Sequence, residues 1–434
     1  MDRDDPYSLP ATVAAARIAE GALSPVTLLD SCLARIVERD GGVRAWAHVD
    51  EAGARDSARE REAEARAGRR RGPLHGVPVG IKDIFHVAGM TTTCGAAPAF
   101  HLKPVEDATA VARLRAAGAI VLGKTHTTEF AYFEPAPTRN PWNVAHTPGG
   151  SSSGSAAAVA AGMTPVALGT QTVGSVLRPA AYCGVVGFKG TYGLVPTDGV
   201  VPLAWSFDHV GVFARRVGDV ALTASVLADR PLEAPVASGP RLALVPELLE
   251  RATPEVAAEV RGAAARFARA GATVHEVKLP ASFASVHAAG RSVLEVEAAA
   301  YHEERYRTLA AEYRPRTREL IADGLARPAV TYVWAQRARL AFRADVAPLL
   351  ADYDALLSPT AASSAPEGLA TGDPWFCAPW SFAGVPACSL PTAISPAGLP
   401  LAVQLVAAPA QDAALLAVAA WCERVLDFSH SPSI

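Results

Sequence analysis

The chain has 434 residues, half of them hydrophobic and 19% charged, with 40 Lys and Arg against 43 Asp and Glu and a formal net charge of −3. A chain this apolar and this sparsely charged buries a large core, which excludes disorder over most of its length. The balanced charge lacks the basic face that phosphate neutralisation requires, which excludes a general nucleic-acid binder.

The first residues, Met1-Asp2-Arg3-Asp4-Asp5, have no apolar run behind them, which argues against a signal peptide. Ser24-Pro25 reads as a helix N-cap with Pro at the first helical position, and Val26, Leu28, Leu29, Cys32, Leu33 and Ile36 follow at helical spacing. Residues 51–71 form a charged, Ala-rich pattern closed by Gly72-Pro73. The Arg69-Arg70-Arg71 run there suits cations at a helix C-terminus. Residues 1–72 are therefore expected as a helical segment packed on the core. From Val77 onward, short apolar runs alternate with helical patterns: strands at 77–81, 119–122 and 166–168, with helices at 109–117 and 155–161. A further strand–helix–strand unit is expected over 242–245, 254–269 and 273–277. Long helices broken near Pro315 and Pro328 follow over 292–350, then a strand block over 387–405 and a helix from Asp412. This alternation predicts one large α/β domain with a mostly parallel mixed β-sheet covered by helices.

The most apolar stretches, such as 413–425, meet charges or helix breakers well before the roughly 18 residues a membrane span requires, so no membrane crossing is expected. Six scattered cysteines with no CxxC pair fit reduced, buried thiols and a cytoplasmic location better than a zinc site or disulfide framework.

Three Gly-rich stretches compete as functional motifs. Gly118 to Thr125 satisfies the P-loop pattern, but its four variable positions, Ala-Ile-Val-Leu, read as a buried strand rather than a phosphate loop. Gly150 to Gly154 contains G-x-S-x-G centred on Ser152, yet a turn-rich segment precedes it where a nucleophile elbow needs a strand. The third pattern joins Gly149-Gly-Ser-Ser-Ser-Gly-Ser155, then Gly169 to Ser175, with Lys82 at the end of an apolar strand. Burial lowers a Lys pKa, and a neutral amine is a competent general base. Residue chemistry alone leaves two readings open: a Ser–Ser–Lys constellation, or Lys82 paired with Asp83 beside ordinary cap serines.

The run 149–162, followed by Gly174-Ser175 and Pro179-Ala-Ala-Tyr-Cys-Gly-Val-Val-Gly-Phe-Lys189, resembles the amidase signature family. Ser175 follows Ser151 by the family's 24 positions, and flanking blocks at 74–83, 123–130, 140–143, 383–387 and 398–405 fit as well. The resemblance covers residues 73–426, which makes 73–434 the amidase domain, and is weak over 231–374. It implies Ser175 as nucleophile, Ser151 at a cis peptide bond as proton relay, and neutral Lys82 as ultimate base. Backbone amides of Thr172, Val173, Gly174 and Ser175 would form the oxyanion hole. Tyr132, Gln171, Trp375, Phe376 and Trp380 fall in segments implied to contact substrate, although each of the aromatics, like Phe133, also fits a core position.

Several positions depart from the family pattern: Gln171 for Asp, Val173 for Gly, Leu177 for Arg, Gly190 for Pro and Ser381 for Asn. The implied function is a cofactor-free, metal-free serine amidohydrolase acting on small amides, anilides or carbamates, with aryl acylamidase and urethanase activities in range. The partner is then a small-molecule substrate rather than nucleic acid or membrane, and homo-oligomerisation is left open. Two rivals stand beside it: the glutaminase component of a tRNA-dependent amidotransferase, and an inactive binding protein that kept the fold.

Overall fold

Short apolar runs between helices supply eleven strands to one sheet in the computed structural model, which describes residues 5–232, 234 and 239–433. The first four residues of the expected N-terminal segment, and residues 233 and 235–238 of the less family-like stretch, lie outside the described residues. The first six strands are β1 (Trp46–Val49), β2 (Pro78–Lys82), β3 (Ile120–Thr125), β4 (Val166–Gln171), β5 (Val186–Lys189) and β6 (His209–Ala214). The rest are β7 (Arg241–Leu244), β8 (Thr273–Glu276), β9 (Ala355–Pro359), β10 (Ala387–Ile394) and β11 (Pro400–Val406). Their order is β1-β3-β2-β4-β6-β5-β10-β11-β9-β7-β8.

The sheet is mixed, and parallel pairing is confined to two places, β3–β2–β4 and β9–β7–β8. These are the strands joined by helical crossovers such as Thr109–Ala116, Ser153–Ala160 and Pro254–Arg269. Every other pairing is antiparallel. The block expected as one strand over 387–405 is a hairpin, β10 and β11, turned at Ser395 to Leu399 with Gly398 in the left-handed region.

The N-terminal segment is mainly helical, with Ser24 Oγ capping the helix Pro25–Val43 through the amides of Val26 and Thr27. It also contributes β1 as the edge strand of the main sheet, so it is woven into the core. This strand is missed in the sequence because it is only four residues long and lies between two strong helical patterns. Its approach to β3 needs Gly123, where a Cβ would lie 2.2 Å from the carbonyl oxygen of His48. Further along, the helices Val286–Leu309, Pro315–Ala326 and Ala329–Ala351 form the expected long helical block, broken where the two prolines sit.

The P-loop pattern is buried β3 itself. Lys124 is fully enclosed, paired with Asp83 at 2.6 Å and bonded to Thr92 Oγ1 at 3.0 Å. This pairing also removes Asp83 as a partner for its neighbour Lys82. Breaking a buried ion pair from one side strands the other charge, so Lys124→Met is expected to cost about 3–5 kcal/mol. A large fall in the denaturant midpoint, read by circular dichroism, checks this; an unchanged midpoint would show the pair to be dispensable.

Candidate active site

Lys82 ends β2, where every residue is buried, and its side chain points into the interior with no exposed surface. Its Nζ lies 2.8 Å from Ser151 Oγ and 2.7 Å from Thr170 Oγ1. Thr170 is on β4, the parallel neighbour of β2, so sheet pairing itself brings the hydroxyl to the amine. Burial pulls the Lys82 pKa from its ordinary 10.5 down to about 7, against a smaller opposing pull, chiefly from Asp208.

Ser151 lies in the loop leading to the helix Ser153–Ala160, and the Gly150–Ser151 peptide bond is cis. Neighbouring groups hold this loop at several points. Arg178 Nη2 donates to Gly150 O at 2.7 Å, Thr128 N donates to Ser151 O at 3.2 Å, and Ser153 Oγ donates to Gly149 O at 2.6 Å. The helix that follows is wholly buried and built from Gly, Ser, Ala and Val. It needs such small residues, since a Cβ at Gly154 would lie 2.2 Å from Ala45 O. Ser152, the centre of the G-x-S-x-G pattern, is occupied structurally: its Oγ donates to Thr170 O and accepts from Thr170 N.

Ser175 lies in the turn between β4 and the helix Leu177–Cys183 and is 4% exposed. Gln171 shapes this turn. Its Oε1 accepts from the amides of Val176 and Leu177, both at 3.0 Å, and its Nε2 donates to Ser381 Oγ at 3.1 Å. Among the described residues, the amides of Val173, Gly174 and Ser175 meet no acceptor. Val173, which replaces a Gly of the family pattern, lies outside the left-handed region, so its backbone does not require Gly.

A cavity of about 200 Å³ opens against this turn, walled by Thr172, Val173, Tyr132, Phe207, His287 and Phe382 among others. It reaches the turn through Thr172 and Val173; Lys82, Ser151 and Ser175 are not among its lining residues. An outer cavity of about 420 Å³ shares Tyr132, Phe133, Arg291 and Pro374 with it and adds Arg316, Glu319 and Asp373. A larger cleft of about 610 Å³ lies elsewhere, beside the C-terminal tail, and contains none of these groups.

Of the five residues expected to contact substrate, only Tyr132 lines the cavity. Trp375 stands behind the wall, stacked on His287 at 4.8 Å. Phe376 and Trp380 are core residues at 1% and 0% exposure, and the fully buried Gln171 is spent on the turn. Their aromatic or amide character gives no sign of which side of the wall they occupy. Thr170, Arg178 and Asp208 also surround the site, although no motif marks them as site residues. The signal for Thr170 is a hydroxyl four positions after Val166, on a strand parallel to that of Lys82. No metal-binding group of three or more His, Cys, Asp or Glu occurs among the described residues.

Comparison with known proteins fits this geometry. A family model described as Amidase matches residues 27–416. The chain belongs to this family. A curated relative from Roseiflexus castenholzii, named as a subunit of glutamyl-tRNA(Gln) amidotransferase, is 37% identical, with 96% of each chain covered. A crystal structure of an amidase superposes with a TM-score of 0.88 at 34% identity, covering 96% of this chain and 99% of the other. The peptide amidase from Stenotrophomonas maltophilia gives 0.84 at 31% identity, with 98% of each covered. The family match begins inside the N-terminal segment, consistent with β1 being part of the sheet.

Replacing Gln171 by Leu would leave two buried amides and Ser381 without partners. Each such loss costs about 1–3 kcal/mol, so Gln171→Leu should lower the unfolding midpoint markedly. Gln171→Glu keeps the acceptor and should lose less in the same unfolding experiment.

Proposed function

We propose that this amidase-family chain hydrolyses the C–N bond of small amides or carbamates through an acyl-enzyme on Ser175. The observation that carries this reading is the buried Lys82 amine, which is hydrogen-bonded to two hydroxyls and to no carboxylate. Thr170 accepts one N–H of the neutral amine, which leaves the lone pair for the Ser151 proton. As Ser175 Oγ attacks the substrate carbonyl, its proton passes to Ser151 Oγ while the Ser151 proton passes to Lys82 Nζ. The oxyanion is met by the free amides of the 172–175 turn. Lys82 then returns its proton through Ser151 to the departing nitrogen, the C–N bond breaks, and water, deprotonated by the same relay, releases the acid. Every proton taken from a nucleophile is returned, so no cofactor is required.

The cavity supports a substrate with an apolar group. Its only charged lining side chain is Arg291, which already pairs with Glu295 and lies 3.7 Å from Asp323. Buried thiols at all six cysteines suit a reducing compartment such as the cytoplasm. A second reading, the amide-hydrolysing component of a tRNA-dependent amidotransferase, is supported by the name of the Roseiflexus castenholzii relative, and it requires partner chains. Rates on a panel of anilides, aliphatic amides, carbamates and glutamine, with and without candidate partners, separate the two. Glutaminase activity that depends on a partner, with no turnover of apolar amides, would overturn the first.

Lys82 serves as base only when neutral, so kcat/KM should rise as pH climbs through about 7 and level off above it. A profile flat from pH 5 to 9 would contradict this. Lys82→Ala should abolish acylation with the fold retained, and Ser151→Ala should lower the acylation rate by about 10³-fold or more, read by burst kinetics.

A further inference from the structure

Asp208 lies just before β6, opposite the end of β4, and its carboxylate is fully engaged. Oδ1 accepts from Thr172 Oγ1 at 2.6 Å, and Oδ2 accepts from the backbone amides of Leu203 at 2.8 Å and Ala204 at 3.1 Å. These bonds fasten the first residue of the 172–175 turn to the segment 203–208. They grip it immediately before the three amides that lack acceptors. No other described side chain holds Thr172 Oγ1.

The surroundings of Lys82 give this carboxylate a second consequence. From its own strand, Asp83 is committed to Lys124 on β3. From β4 and the Ser151 loop come only the hydroxyls of Thr170 and Ser151. The nearby Cys94 thiol is held neutral, because burial drives its pKa far upward. Next to Asp208, His209 is also neutral, pushed well below its ordinary range by burial. Thr170 Oγ1, which accepts from Lys82, and Thr172 Oγ1, which donates to Asp208, stand two positions apart at the end of β4, so the strand itself brings this carboxylate into the neighbourhood of the amine, where its charge favours the ammonium.

Resting on the hydrolase reading above, we propose that Asp208 is a positioning residue, clamping Thr172 so that the free amides face the reacting carbonyl and serving as distant counter-ion to the ammonium that forms on Lys82. During attack by Ser175, the proton reaching Nζ creates a positive charge in a site that otherwise offers only hydroxyls. An anion held by three hydrogen bonds offsets that charge without competing for the proton. Burial pushes the Asp208 carboxyl upward, while the bonds from Thr172, Leu203 and Ala204, and then the Lys82 charge, pull it back; three donors on its two oxygens are the setting of an ionised carboxylate.

The test is the pH dependence of Ser175 labelling by a fluorophosphonate in the intact chain, which requires no knowledge of the natural substrate. Wild-type labelling should rise through about pH 7. Asp208→Asn removes the charge that favours the ammonium, so its rise should move to lower pH by about half a pH unit or more, with a lower plateau. Thr172→Val breaks the clamp and keeps the charge; its plateau should fall about tenfold with the midpoint unmoved. A merely structural role for Asp208 would lower the plateau without moving the midpoint. An unmoved midpoint in Asp208→Asn, or an undiminished plateau in Thr172→Val, overturns the inference while leaving the hydrolase reading intact. A wild type that stays unlabelled at every pH overturns both.

Discussion

The constraint on which the site depends is the burial of a lysine amine without a carboxylate. Lys82 and Lys124 make this concrete, because they end up one strand apart in the same parallel pair, both fully buried. Lys124 faces Asp83 and is held as an ion pair. Lys82 faces Ser151 and Thr170, which can share a proton but cannot neutralise a charge. Desolvation therefore acts on Lys82 almost unopposed and brings its ionisation near neutrality. The fold has to supply two hydroxyls at bonding distance and keep every carboxylate away from contact. Parallel pairing of β2 with β4 supplies Thr170, and the loop anchored by Arg178, Thr128 and Ser153 supplies Ser151.

The second element is the turn that carries Ser175. Two departures from the family pattern meet there: Gln171 and Ser381 are hydrogen-bonded to each other across 210 positions of sequence. A longer side chain on one side is matched by a shorter one on the other, so the substitutions read as one change rather than two. Taken singly in the sequence, Gln171 is expected to contact substrate and Ser381 is only a departure from the family pattern. In the structure they hold the helix Leu177–Cys183 against the helix Ala378–Ala383, and the pocket wall is made by others.

Much of this is legible in the sequence because it is local. The helix start at Ser24 follows from cap chemistry, and the breaks near Pro315 and Pro328 follow from the missing amide. The lysine and the two serines stand out through the resemblance to the amidase signature family, residue chemistry alone leaving two readings open. What cannot be read is what depends on sheet order. β1 is four residues of edge strand between helices, and β5 gains one of its antiparallel neighbours, β10, from far along the chain. Asp208 carries no motif of its own, and its importance comes from lying opposite Thr172 once β4 and β6 have paired. The aromatics at 375, 376 and 380 show the same limit: burial on one side of a wall or the other is a tertiary fact.

Two parts of the cavity wall have different freedoms. Thr172, Val173 and Phe207 come from segments bound to the central sheet, beside the turn that carries Ser175. Val286, His287, Gly290, Arg291 and Leu294 come from one face of the helix Val286–Leu309. That helix contacts neither Lys82 nor Ser151 through any hydrogen bond. Evolution, or a protein engineer, can therefore redraw a large part of the pocket by exchanging side chains along a single helical stripe while the turn beside Ser175 stays as it is. A lineage built this way would diversify its substrates much faster than its chemistry.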